Sequence, residues 1–330
     1  MSDAQLKILS DYVSLLNQNA KNHVIRTASR LKIVDTLRSG QKSAAELSEE
    51  LGLDLKALQL FMDVLCQTEL VDQYGDDFAL SAVARLIPPN MMGLGDQYWA
   101  RMEQFIRSGK SLVNDDDAPD TQADYLQSAA AQEWMCTPAA LDMAMVLDVG
   151  AQRKGLRILE VGCSTGVFGL TLLHQDESAS ITFLDDALGL ARARETVESL
   201  NLNERVTYVE GDYLNLEPES EPFDLVLATG ILHRHCIETC RGLFKRLSDC
   251  LKSDGELAIV DMFPGRDAGD TFRIVNALQI HLRTSEGQLH SPKELQTALK
   301  ETGFTEIQYA HLPSPPKIWG LFIAKKEEAT

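Results

Sequence analysis

The spacing of apolar residues changes along the chain. Between residues 5 and 38 it is helical, with Val24, Ala28, Leu31 and Val34 sharing a face. Ser43-Ala44-Ala45-Glu46 is a capping box that opens a short helix, and Gly52 stops it. Asp54 caps a second helix that carries Leu58, Phe61, Met62 and Leu65. Two strand-like pieces follow, Leu70-Val71 and Phe78-Ala79-Leu80, around the turn Gly75-Asp76-Asp77. Helix, helix and β-wing predict a winged helix within residues 1–87. Residues 88–150 read as mostly helical, interrupted by a polar loop from Lys110 to Asp124. Their large apolar groups include Trp99, Met102, Trp134, Met135 and Met143, together with Met91, Met92, Tyr98 and Phe105. These positions suit either plain core or the lining of an irregular apolar substrate pocket, a task for which Met is adaptable.

From 151 to 330 the period alternates between strand and helix, which predicts an α/β unit with a parallel sheet covered on both faces. The strands are expected at Arg157–Val161, Ile181–Leu184, Val206–Val209, Leu225–Ala228 and Glu256–Val260. Two last segments, Glu306–His311 and Gly320–Ala324, are joined by Pro313-Ser314-Pro315-Pro316. So short a Pro-rich return suits an antiparallel hairpin at a sheet edge, not another crossover.

Charge changes the reading of the winged helix. The chain has 330 residues and a net charge of −18. Phosphate binding needs clustered Lys and Arg, so a broad nucleic-acid or anionic-membrane surface is excluded. The second helix of the pair, Lys56 to Thr68, has only Lys56 as a base, where a DNA-reading helix carries Arg, Lys, Asn or Gln. A protein–protein module is the better reading. Asp115-Asp116-Asp117 reads as a solvated loop, not a metal site. Six unevenly spaced Cys form no disulfide framework and suit a reducing, cytoplasmic compartment. The N-terminus lacks a signal-peptide pattern, and no apolar run of about 18 residues predicts a membrane span.

The candidate chemistry lies at the strand ends. Arg157-Ile158-Leu159-Glu160-Val161 runs into Gly162-Cys163-Ser164-Thr165-Gly166-Val167-Phe168-Gly169. Small residues let backbone approach a ligand, and the following helix offers free N–H groups. The close G-x-G pair of a dinucleotide loop is missing, and so is the Lys of a phosphate-binding loop. What remains is E-x-G-x-S-x-G. Asp185, 23 residues after Gly162, ends the second strand and is placed to accept ribose hydroxyls, while Asp186 can cap the next helix. Asp212, after Gly211, is placed to accept from an adenine amino group, and Tyr213 to pack on the base. Strand four runs into Thr229-Gly230-Ile231-Leu232-His233, and strand five ends at Asp261. Adjacent strand ends bring His233 within reach of Asp261, which would orient it as a general base. Two other readings stay open: His233 only packs on the cofactor, or His233, His235, Cys236 and Cys240 bind a metal, although their spacing matches no recognised finger.

The whole chain resembles the S-adenosylmethionine (SAM)-dependent O-methyltransferases of plant phenolic and bacterial polyketide metabolism. E-x-G-x-S-x-G resembles their motif I, with Ser164 where a Gly often sits. Leu232-His233 resembles their L-H-D-W, whose His is the base, and Asp261 stands for the acid that supports it. The resemblance implies a Rossmann-like class I methyltransferase domain behind an N-terminal winged-helix dimerisation domain. It implies SAM as cofactor, held by Glu160, Gly162, Ser164, Gly166, Asp185, Asp212, Tyr213 and Thr229. It also implies a homodimer through the N-terminal domain, a small aromatic or polyketide-like acceptor, and catalysis by His233 and Asp261. Three residues depart from the family. Arg234 and His235 replace the Asp and Trp after the His, and Leu289 stands where a second supporting Glu would be. A SAM-binding relative that hydroxylates, decarboxylates or methylates carbon, and a winged-helix regulator, are the rival readings.

Overall fold

Most helices of the N-terminal region begin where a side chain takes up a free N–H group. The computed structural model describes residues 2–87, 99–110, 122–218, 220–264 and 271–327. The chain divides into two units, Met1–Ala100 and Arg101–Thr330. In the first, α1 (Asp3–Arg30) and α2 (Ile33–Arg38) are separated at Lys32, whose φ is 59°. β1 (Lys42–Ser43) precedes α3 (Ala44–Leu51), where the Ser43 and Glu46 side chains cap each other's backbone N–H. Gly52, at φ 65°, ends α3, and Asp54 caps α4 (Leu55–Leu65) by accepting from Ala57 N at 2.8 Å. β2 (Val71–Tyr74) and β3 (Asp77–Leu80) form the wing, and α5 (Ala82–Leu86) follows. The sheet order is β1-β3-β2, and Leu47, Met62 and Leu65 pack with Ile33, Leu37 and Phe78 in its core. The start of α1 takes no part in that core. Leu6, Ile8, Leu9, Tyr12, Val13, Leu15 and Leu16 are all exposed.

The second unit opens with α6 (Met102–Ser108) and α7 (Gln122–Leu147). Met91, Met92, Tyr98 and the acid run 115–117 fall outside the described residues. Next come β4 (Arg157–Val161), α8 (Val167–Gln175), β5 (Ser180–Asp185), α9 (Ala187–Ser199), β6 (Val206–Glu210) and β7 (Phe223–Thr229). The chain ends through α10 (Ile237–Cys250), β8 (Leu251–Met262), α11 (Thr271–Arg283), α12 (Pro292–Glu301), β9 (Phe304–His311) and β10 (Trp319–Lys326).

These strands form one sheet in the order β6-β5-β4-β7-β8-β10-β9. The first five are parallel; β10 runs antiparallel to both of its neighbours. The expected hairpin is therefore present, with β9 at the sheet edge and β10 inserted beside β8. β8 begins five residues before the expected Glu256, because Leu251 already pairs with Phe223 ahead of a register shift. The strand order reverses between β4 and β7, which opens a crevice at the carboxyl ends of these strands. Both sheet faces are buried: one under α7, α8 and α9, the other under α10 and α12. Among the described residues, no helix is long and apolar enough to cross a membrane.

Candidate active site

The loop after β4 turns tightly because Gly162 and Gly166 have φ of 64° and 71°, a region that costs an L side chain about 1–2 kcal/mol. Gly162 has a second constraint. A Cβ there would lie 2.5 Å from Ile231 Cγ2 and 3.4 Å from Tyr213 Cε1. The Ile231 side chain after β7 and the Tyr213 ring after β6 thus converge on this glycine. Ser164, at φ 49°, is held in the same left-handed region while its N–H donates to Asp185 Oδ2 at 2.7 Å.

Glu160 lies beneath the loop. It is wholly buried, with Oε1 accepting from the Thr229 hydroxyl at 2.9 Å and Oε2 from Gly169 N at 3.0 Å. It therefore ties β4 to β7 and to α8. Burial raises its carboxyl to about 8, against the opposing pull of those two hydrogen bonds. Thr229 is buried as its partner.

Asp185 sits at the end of β5 and also accepts from Asp186 N at 2.8 Å. Burial pushes its carboxyl up, against the backbone donors that favour the charged form. Asp186 caps α9 by accepting from Gly189 N at 2.7 Å. Gly189 is a site residue that the sequence reading missed. A Cβ there would meet the Asp185 carboxylate at 2.2–2.6 Å, so only glycine lets that carboxylate lie on the helix start. Its signal is a glycine four residues past the strand-end acid. Asp212 is exposed and caps the 3₁₀ turn Tyr213–Asn215, accepting from Leu214 N at 2.8 Å and from Asn215 Nδ2 at 2.7 Å.

His233 and Asp261 meet across adjacent strand ends. His233 Nδ1 is 2.8 Å from Asp261 Oδ1, with the two side chains 18% and 2% exposed. Asp261 Oδ1 also accepts from Met262 N at 2.7 Å, and Oδ2 from Leu232 N at 2.7 Å and His233 N at 3.2 Å. Burial alone would raise this carboxyl, but His233 and the backbone donors hold it below its ordinary value. An ionised carboxylate only accepts hydrogen bonds, so Nδ1 carries the imidazole proton and Nε2 is left as the basic nitrogen.

The neighbouring residues each have other partners. His235 Nε2 is 2.7 Å from the Tyr213 hydroxyl, and Cys240 Sγ faces Leu232 O and His290 Nε2, each at 3.7 Å. His290, also missed in the sequence, is buried, with Nε2 3.2 Å from Leu232 O and 3.0 Å from His235 O. It braces the turn that carries His233. No local pattern marks it, because the carbonyls that it braces lie more than 50 residues away. Leu289 contributes no carboxylate; among the described residues, the carboxylate that meets the His233 ring is that of Asp261.

The apolar residues read as pocket candidates fall in different surroundings. Met143 is fully buried in the core behind the sheet, Trp134 and Met135 are 70% and 39% exposed on α7, and Trp99 and Met102 are half-buried.

Fold and site define a class I methyltransferase. Comparison with known proteins is consistent with this class. Residues 158–255 match the model of a methyltransferase domain, and residues 13–87 that of the O-methyltransferase dimerisation domain. The chain belongs to the SAM-dependent O-methyltransferase family that joins these two domains. It is 23% identical over 159 residues to the sterol 24-C-methyltransferase of Candida albicans, covering 47% of this chain and 41% of that protein. The chain thus spans less than half the length of the curated relatives it matches. Among solved structures, it superposes on the mitomycin 7-O-methyltransferase MmcR with a TM-score of 0.76 at 18% identity, covering 99% of each chain. Human N-acetylserotonin methyltransferase, solved in complex with SAM, gives 0.73 at 18% identity and 99% coverage of each. These structural likenesses show the fold.

SAM is the cofactor of this family. The crevice fits it: carboxylates stand at the ends of β5 and β6, and the helix after the Gly162 loop begins at Gly166 with no side chain capping its N-terminus.

Proposed function

We propose that the protein transfers a methyl group from SAM to a hydroxyl oxygen of a small aromatic or polyketide-like acceptor, with His233 as general base. One observation carries this reading: Ile231 abuts Gly162, and two residues later His233 is bonded to Asp261. The base is thereby fixed next to the cofactor loop by a single short segment. When bound, SAM supplies a methyl group on a cationic sulfur. His233 Nε2 takes the acceptor hydroxyl proton, which matters because a phenol has an ordinary pKa near 10. Asp261 keeps the ring in the Nδ1–H tautomer and offsets the charge that forms on it. The Gly162 loop and Asp185 hold the donor, so the remaining barrier is alignment of the acceptor oxygen.

Residues 1–87 are proposed to form a homodimer, with 88–150 as the helical linker that contributes to the acceptor pocket and 151–330 as the catalytic domain. The match to a dimerisation domain and the exposed apolar residues of α1 support the dimer.

The test is calorimetric titration with S-adenosylhomocysteine, then transfer of labelled methyl to a panel of small phenols with mass analysis of the products. Binding with an O-methylated product is the expected result. No binding would defeat the cofactor reading, and a C-methylated, hydroxylated or decarboxylated product would defeat the O-transfer reading.

A further inference from the structure

A second histidine, absent from the mechanism above, joins a carboxylate to a phenol. His235 Nδ1 lies 3.3 Å from Glu286 Oε1, and His235 Nε2 lies 2.7 Å from the Tyr213 hydroxyl. Glu286 Oε1 also accepts from the Thr239 hydroxyl at 3.1 Å. The His235 side chain is 13% exposed, and its backbone is pinned by Leu232 O on one side and by His290 on the other. The His235 ring meets the Tyr213 ring edge-on, centroids 5.7 Å apart. The Tyr213 ring in turn lies against the Gly162 loop, with Cε1 3.4 Å from where a Cβ would stand.

We infer that Glu286, His235 and Tyr213 form a hydrogen-bonded relay that positions the Tyr213 oxygen at the Gly162 loop, to accept from an N–H or O–H on the nucleoside end of the bound cofactor. The inference rests on the proposed SAM-binding reading. Directionality follows from donor chemistry. The Glu286 carboxylate only accepts, so His235 Nδ1 carries the proton and donates to it. Nε2 then has a lone pair and no hydrogen, so the phenol O–H donates to Nε2. With its hydrogen given to His235, the Tyr213 oxygen has only lone pairs left for a ligand.

Two charge effects agree. Burial keeps His235 below the ordinary histidine range, hence neutral, and burial raises the Tyr213 phenol to about 12, hence protonated. Glu286 is held below its ordinary value by the side chains of Cys236, Thr239 and His235, against the opposing effect of burial. The relay also gives the segment around Leu289 a task. The carboxylate there, three residues earlier, serves the second histidine and not the base.

The experiment measures S-adenosylhomocysteine affinity by calorimetry on the full chain, with circular dichroism as the folding check. Tyr213→Phe, His235→Phe and Glu286→Leu should each weaken binding roughly 3–10-fold, the scale of one hydrogen bond. The Tyr213→Phe/His235→Phe double variant should bind no worse than the weaker single variant. Glu286→Gln, whose amide oxygen can still accept from Nδ1–H, should retain wild-type affinity. Multiplied losses in the double variant overturn the relay. So does unchanged affinity in Tyr213→Phe or in both His235→Phe and Glu286→Leu. Failure of the wild type to bind overturns the cofactor reading itself. Should a His235 variant not fold, ¹⁵N shifts of the wild-type imidazole decide: an unprotonated Nε2 that moves in Tyr213→Phe is expected, and a protonated Nε2 refutes the scheme.

Discussion

Asp261→Asn changes one oxygen to nitrogen, yet the structure makes it a severe substitution. Each carboxylate oxygen of Asp261 accepts from two N–H groups: Oδ1 from His233 Nδ1 and Met262 N, Oδ2 from Leu232 N and His233 N. An amide has only one acceptor, so its NH₂ must face two donors in either orientation. If it faces Leu232 and His233 N, the turn that carries the base is pushed off Asp261. If it faces the ring, His233 must accept on Nδ1 and carry its proton on Nε2, where the base is needed. Removing one partner of a buried charged pair costs about 3–5 kcal/mol. The variant should therefore melt about 10 °C lower, and its kcat should fall on the order of 10²–10⁴-fold, as much as in His233→Ala. S-adenosylhomocysteine affinity should change by less than fivefold. Acid should shrink the stability difference. The folded carboxyl titrates below its ordinary 3.8, so its contribution is present at neutral pH and fades as pH falls through that lower value. Methyl transfer to a verified acceptor, thermal melts and calorimetry provide the assays. A kcat within tenfold of wild type, or a melting point within 2 °C, would refute the argument from paired donors.

Gly189→Ala should drive the Asp185 carboxylate off α9 and weaken S-adenosylhomocysteine binding by about 1.5–3 kcal/mol, the scale of a charged hydrogen bond; Gly242→Ala, where a Cβ meets nothing within 4 Å, is the calorimetric control and should bind normally. Glu160 titrates near 8 in the fold and near 4.5 unfolded, so wild-type stability should decline as pH rises through that window, whereas Glu160→Gln should show a flatter profile; parallel melting curves from pH 5 to 9 would contradict the buried-acid reading. Ile8→Asp with Leu16→Asp, both on the exposed start of α1, should convert a dimer to a monomer in sedimentation without loss of helix signal; a dimer that persists would place the interface elsewhere.

Local signals carried the fold. Capping boxes, the Gly52 stop and the β4 loop are short-range devices, and they end elements within a residue or two of where their chemistry places them. The His233–Asp261 pair was also legible, because two adjacent parallel strands must bring their carboxyl ends together. What escaped depended on packing across the sequence. Gly189 matters only because the Asp185 side chain folds back onto it, and His290 only because the turn after β7 returns beneath it. Glu160 looked like a ligand-facing acid, since strand polarity does not say which way its carboxylate turns once Thr229 offers a hydroxyl. The four accepted donors of Asp261 were likewise invisible, although they decide what an amide would do there.

The insertion of β10 between β8 and β9 has a consequence for biosynthesis. Gly320 of β10 sits in register with Asp261, so the strand that carries the orienting carboxylate is flanked on that side by a segment translated well after it. The N-terminal unit closes its core from neighbours in sequence and can mature while the ribosome is still reading the message. The catalytic sheet cannot, because β8 and β9 have nothing to join them until residues 319–326 emerge. A pause or stop before that segment would leave two unpaired strand edges in the catalytic sheet.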